Sequence, residues 1–254
     1  MSTTIAMAGK GGTGKTTLAG LAIKYLLSKD RTPILAVDAD SNANLNEVLG
    51  LEIFGTLGDA REEMNKGGQP PGMTKDIFME MKVNQALVEA VGYDLIVMGR
   101  PEGAGCYCAA NNLLSSLIDK LTANYPYLVI DNEAGMEHIS RLNSKAIDVF
   151  YVVSDASRRG LTAAHRIWEL VDELKIPVGQ KHLVINQVKG EVGEKTLAEI
   201  EKLGLNLAGT IQADDEIYEY DQDGKPTADI GTDNPAVSAA FDIFDKTLTF
   251  PENG

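Results

Sequence analysis

Gly9-Lys10-Gly11-Gly12-Thr13-Gly14-Lys15-Thr16-Thr17 joins the apolar run Thr4-Ile5-Ala6-Met7-Ala8 to a helical pattern. In that pattern Leu18, Leu21, Ala22, Tyr25 and Leu26 recur at i, i+3, i+4, i+7 and i+8, one face of a helix. The turn between them satisfies G-x-x-x-x-G-K-[ST], the triphosphate loop. Its glycines let successive backbone N–H groups turn inward around phosphate oxygens, because no Cβ blocks the positive φ angles required. A helix opening at Thr16 aims its positive dipole end at the same anion. Gly11, Gly12, Thr13, Gly14, Lys15, Thr16 and Thr17 are thus expected to cradle ATP or ADP. Lys15 reaches the β and γ phosphates, and the Thr16 hydroxyl ligates Mg²⁺. Gly9, Gly11 and Gly14 also fit G-x-G-x-x-G, with Asp38 ending the next strand as in a dinucleotide fold. That motif does not call for Lys15-Thr16 and makes no use of the carboxylates further on.

Outward from the loop, strand-like runs and helical patterns alternate. Pro33 to Val37 reads as the second strand, stopped by Asp38. Leu95 to Met98, Leu128 to Ile130, Val149 to Val153 and Leu183 to Ile185 are further apolar runs. Helical patterns such as Leu113, Leu114, Leu117, Ile118 and Leu121 lie between them. Strands apolar on both faces and separated by helices predict a mostly parallel twisted sheet flanked by helices on both faces. The reading is one α/β domain of the P-loop NTPase type over residues 1–254. Gly55 to Gly72, rich in Gly, Pro and charge, is expected to be an irregular, mobile surface insertion.

Length and charge narrow the function. A chain of 254 residues allows one large domain or two small ones, and no repeat or linker divides it. Lys plus Arg number 23 against 37 Asp plus Glu, a net charge of -14. That balance argues against a nucleic-acid partner, which calls for a basic face, and against anionic lipid. No apolar run approaches the roughly 18 residues of a transmembrane helix, and Met1-Ser2-Thr3-Thr4 carries no signal-peptide pattern. Two cysteines do not make a disulfide framework. The expected location is the cytoplasm.

Lys10 adds a second lysine to the loop. The form K-G-G-x-G-K-[ST] resembles the deviant Walker A ATPases, which include the nitrogenase iron protein, MinD and ParA. The resemblance implies that Lys10 reaches across a homodimer to the partner's nucleotide, a cation supplied in trans once the dimer closes. Other segments match in order. Asp38-Ala39-Asp40-Ser41-Asn42 looks like switch I, with Asp40 positioning the attacking water near Mg²⁺. Asp38 alone also reads as a strand-end cap. Val129-Ile130-Asp131-Asn132-Glu133-Ala134-Gly135 looks like the Walker B strand and switch II. There the resemblance gives Asp131 to Mg²⁺ through water and Gly135 to the γ-phosphate. Asn186 falls where the family reads adenine, and Gln212-Ala213 where a segment closes over the base.

Cys106-Tyr107-Cys108 follows the glycine-rich run Gly99-Arg100-Pro101-Glu102-Gly103-Ala104-Gly105 and precedes a helix expected near Ala109. Thiols at a helix N-terminus feel a positive field that favours the thiolate. Thiolates suit Zn²⁺ and, in planar settings, Ni²⁺. One C-x-C supplies two of four ligands, so a two-fold dimer would share one metal between two such pairs. Two redox-inert cysteines are the plain alternative. Switch II carries no cysteine, unlike the nitrogenase iron protein; the acidic C-terminal stretch is unlike the MinD membrane helix; and the net charge is unlike a DNA-bound ParA. The loop, Arg100-Pro101-Glu102-Gly103, the C-x-C and Asp131-Asn132-Glu133-Ala134-Gly135-Met136-Glu137-His138 together resemble the CooC-type nickel-insertion ATPases. The resemblance implies an ATPase that assists nickel insertion into apo carbon monoxide dehydrogenase. Acetyl-CoA synthase maturation factors share these features, and an ATP-gated regulatory dimer with a structural metal is the rival of another class.

Overall fold

The computed structural model describes residues 2–40, 42–99, 116–132 and 146–250. The first unit is the one the phosphate loop announced: β1 (Thr3–Gly9), the loop, then α1 (Lys15–Ser28). There follow β2 (Ile34–Ala39), α2 (Leu45–Leu49), α3 (Leu57–Asn65), α4 (Lys75–Ala86), β3 (Val88–Ala90) and β4 (Tyr93–Val97). Helix α5 covers 116–122. The remainder is β5 (Tyr127–Asn132), β6 (Ile147–Ser154), α6 (Arg158–Glu173), β7 (Val178–Val188), α7 (Glu194–Lys202), β8 (Leu207–Gln212), α8 (Asp215–Gln222) and α9 (Pro235–Thr247).

The eight strands form one sheet in the order β3-β4-β2-β5-β1-β6-β7-β8. All neighbours pair in parallel except β3, a three-residue antiparallel edge strand against β4. Residue alternation divides the core into two layers. Ile5 and Met7 of β1 pack with Leu18, Leu21, Ala22 and Leu26 of α1 and with Val237, Ile243 and Phe244 of α9. Ala6 and Ala8 face the opposite layer, with Leu161, Ala164 and Ile167 of α6 and Phe78 and Met79 of α4. Burial on both faces is why these strands read as near-continuous apolar runs.

The expectation for residues 55–72 needs correction. Helix α3 occupies half of that stretch, and Leu57, Ala60 and Met64 enter the core. The local cause is a capping box: Thr56 accepts from the Asp59 N–H, and the Asp59 carboxylate accepts from the Thr56 N–H. Three core contacts spaced i, i+3, i+7 are a helix signal that the surrounding Gly, Pro and charge obscured.

Among the described residues no helix is long and apolar enough to cross a membrane.

Candidate functional site

The carboxyl ends of β1, β2 and β5 lie side by side, with Asp38 paired to Asp131 and Ala39 to Asn132 in register. The loop from β1 turns over this edge and enters α1. Gly12 and Gly14 adopt φ of 82° and 83°, the left-handed region glycine occupies without strain. Gly14 is the N-cap of α1 and no side chain caps the helix, as in α2 and α7, whereas Thr56, Thr74, Ser157, Asp214 and Asn234 cap α3, α4, α6, α8 and α9. The opening N–H groups of α1 are therefore left for an anion.

Lys15 is buried, and its Nζ meets Asp40 Oδ2 at 2.6 Å. Burial opposes charge on this ammonium, but Asp131, Asp40 and Asp38 outweigh that and hold its pKa above the usual lysine value. Asp38 shapes the turn. Its carboxylate accepts from the N–H groups of Asp40 at 3.0 Å and Leu45 at 2.9 Å. The strand-end cap reading of Asp38 is thus the one its contacts support. Burial nevertheless pushes its pKa to about 6, against the pull of those two bonds.

Asp131 differs from its neighbours. It is fully buried, and no donor meets either carboxylate oxygen in ordinary hydrogen-bond geometry, although the Thr16 hydroxyl is close enough to favour its charge. Burial drives its pKa to about 7, opposed by Lys15 and the neighbouring Thr16 hydroxyl and reinforced by Asp38 and Asp40. Two buried acceptor atoms without a well-placed donor are costly unless a ligand satisfies them. Mg²⁺ fits: it takes hard oxygen ligands, and usually one or two protein carboxylates with phosphates and water. Asp131 and Thr16 would hold it, with Asp40 beside them. When bound it would neutralise the charge on the β and γ phosphates. Among the described residues no three His, Cys, Asp or Glu side chains are grouped to hold a metal ion.

The remaining predicted residues divide. Thr13 is buried, with its Oγ1 donating to the Lys10 carbonyl at 2.8 Å, while Gly11, Gly12 and Lys10 are exposed. Thr16 and Thr17 occupy the first turn of α1. Asn186 lies within β7, which runs on to Val188. Its Nδ2 donates to the Thr13 carbonyl at 2.9 Å, so it touches the loop from the β7 side. Gln212 and Ala213 lie one strand further out, exposed at the end of β8, where the Ala213 N–H donates to the Val188 carbonyl at 2.9 Å. Cys106, Cys108 and Gly135 lie outside the described residues. Two residues were missed. Gln187 donates from Nε2 to the Gly12 carbonyl at 3.1 Å. Asn132 donates to the Met7 carbonyl at 3.0 Å and so ties β5 to β1 beneath the loop. Each stands next to a residue the sequence did single out, and adjacency was the available signal.

Residues 4–227 match the CobQ/CobB/MinD/ParA nucleotide binding domain. The chain belongs to this family. It is accordingly an ATPase, and ATP and ADP are its nucleotides. The chain is 45% identical to an uncharacterised ATP-binding protein of Methanocaldococcus jannaschii, over 96% of this chain and 98% of that one. It is 32% identical to the carbon monoxide dehydrogenase accessory protein CooC of Rhodospirillum rubrum, over 68% of this chain and 70% of CooC. The cell division protein MinD of Aquifex aeolicus shares the fold over the whole of both chains, with a TM-score of 0.68 and 20% identity.

Proposed function

We propose that this family member is a nucleotide-gated homodimer that carries Ni²⁺ or Zn²⁺ between Cys106 and Cys108 of both protomers. Its task is to assist nickel insertion into apo carbon monoxide dehydrogenase. The observation that carries this reading is the C-x-C itself. The chain has two cysteines, set two residues apart, and half of a tetrahedral or square-planar ligand set lies in each protomer. The 32% identity to CooC supports the choice of client.

The strand that leads toward the cysteines is bonded to the nucleotide site. The Met98 N–H, just past β4, donates to the Asp38 carbonyl at 2.8 Å, two residues from Asp40. Movement of Asp40 on hydrolysis thus has a short backbone route to the segment that precedes Cys106. Lys10, exposed on the loop, is free to reach a partner's nucleotide, and its charge would join the site only when two protomers meet.

Anaerobic titration of Ni²⁺, with mass measurement of metal per dimer, tests the reading. One ion per two chains is expected, lost in the double variant Cys106→Ala, Cys108→Ala, and weaker at lower pH as protons compete for thiolates. One ion per chain, or binding that survives the double substitution, overturns the shared site. Metal affinity equal in the ATP and ADP states would replace delivery by a structural metal in a regulatory dimer.

A further inference from the structure

We infer that Gln187 is a positioning residue for the phosphate loop, acting with Asn186 as a two-amide brace that aims the loop's N–H groups inward. Gln187 Nε2 donates to the carbonyl of Gly12 at 3.1 Å, and Asn186 Nδ2 donates to the carbonyl of Thr13 at 2.9 Å. Two successive peptide units of the loop are therefore held by two successive side chains of β7.

Peptide planarity turns this outer grip into an inner geometry. In a trans unit the carbonyl and the following N–H point to opposite sides. A Gly12 carbonyl drawn toward Gln187 directs the Thr13 N–H away from β7. A Thr13 carbonyl drawn toward Asn186 does the same for the Gly14 N–H. The Thr13 N–H meets the Lys10 carbonyl across the loop at 3.3 Å, a long bond that a phosphate oxygen can displace. Inward N–H groups are what this loop offers an anion.

Adjacent strand residues ordinarily face opposite sides of a sheet, so two neighbours reaching one loop requires a distortion. The strand has one. Between the pairs Ile185–Thr210 and Val188–Gln212, β7 spends two residues where β8 spends one, which is a β-bulge. Gln187 sits in it at φ 56°, a left-handed conformation that a glutamine rarely adopts. Gly14 completes the fit, since a Cβ there would clash with the Asn186 amide nitrogen. Strain at a bulge, with both freed side chains spent on the loop, is what a positioning role predicts.

Glycine at 187 separates this role from a merely structural one. It suits the left-handed backbone but removes the amide. Isothermal titration of Mg²⁺-ADP into Gln187→Gly and Gln187→Glu should show affinity lowered about fivefold, the usual worth of one hydrogen bond. KM for ATP should rise likewise, with kcat falling by less, because the loop grips phosphate in the ground and transition states alike. Melting of nucleotide-free Gln187→Gly should stay at the wild-type temperature or above it. Affinity within twofold of wild type in Gln187→Gly overturns the inference, whatever Gln187→Glu does. So does a KM unchanged in both variants.

Discussion

Two parts of this sheet treat polar groups in opposite ways. Beneath α9, where Phe244 and Thr247 pack on Tyr151 of β6, the buried hydroxyls find partners within the protein. The Tyr25 hydroxyl donates to Asp245 at 2.7 Å, Tyr151 bonds Thr247, and Thr247 donates to the Ile243 carbonyl at 2.7 Å. At the carboxyl ends of β1, β2 and β5 the pattern reverses. Asp131 has two orphaned oxygens, α1 has no side-chain cap, and one lysine faces three carboxylates. The first region is finished as it stands, while the second is completed by a nucleotide and its cation. Local stability is given up where function needs unpaired groups.

The strongest way to break this contrast is to make one substitution in each region. Lys15→Ala should lower ATP hydrolysis by at least about 100-fold, since a preorganised cation at the transferring phosphate is lost. Tyr151→Phe should cost about 1 kcal/mol of unfolding free energy by removing one buried hydrogen bond, yet leave turnover near wild type. Steady-state hydrolysis and urea denaturation read both. Turnover retained in Lys15→Ala would remove the loop lysine from the chemistry.

Asp131 sharpens the comparison, because stability and activity should move in opposite directions. Its folded pKa of about 7 lies above the usual 3.8. A raised carboxylate contributes stability that is complete below pH 3.8 and lost as pH rises through about 7. At pH 8 the ionised group is therefore a penalty in the nucleotide-free protein. Asp131→Asn should stabilise that form at pH 8, on the order of 2 kcal/mol, and flatten its stability between pH 4 and 8. The same variant should lose Mg²⁺-dependent turnover. A drop in nucleotide-free stability at pH 8 would show that Asp131 is held by the fold and not reserved for a cation.

The parts of this molecule that repeat a period were legible in the sequence. The α1 stripe and the apolar strands are the direct imprint of a sheet covered on both faces, and Gly12 and Gly14 are the imprint of positive φ. Asp40 and Asp131 were named through the resemblance of their segments to switch I and to the Walker B strand, not through any local pattern. What stayed hidden depended on contacts between distant segments. No local pattern says that Asn132 reaches the Met7 carbonyl, or that a bulge turns Gln187 onto Gly12. The short strand β3 has three residues and no period to detect. Helix α3 was masked by its composition, although Leu57, Ala60 and Met64 carried the spacing.

The smallest expected effect belongs to His182, in the region already satisfied. Its Nε2 lies 3.1 Å from Gln180 Oε1, and its Nδ1 lies 3.1 Å from Asn206 Nδ2. An amide oxygen accepts and an amide nitrogen donates, so the ring is held as the neutral tautomer with hydrogen on Nε2. A proton added at Nδ1 would face the Asn206 NH₂ group, donor against donor. The ring is buried, tilted against Tyr151 with centroids 5.8 Å apart, and burial lowers its pKa below 6.5. The sign follows from linkage. Below pH 6.5 the unfolded chain takes up a proton that the folded chain resists, so stability is lost as pH falls toward the depressed folded value. His182→Gln has no such proton to resist. Urea denaturation from pH 7.5 to 5 should show wild type losing more stability than the variant, with the divergence opening below pH 6.5. Parallel curves would mean that His182 charges freely within the fold, and the contrast between the finished and the unfinished ends of the sheet would then need another basis.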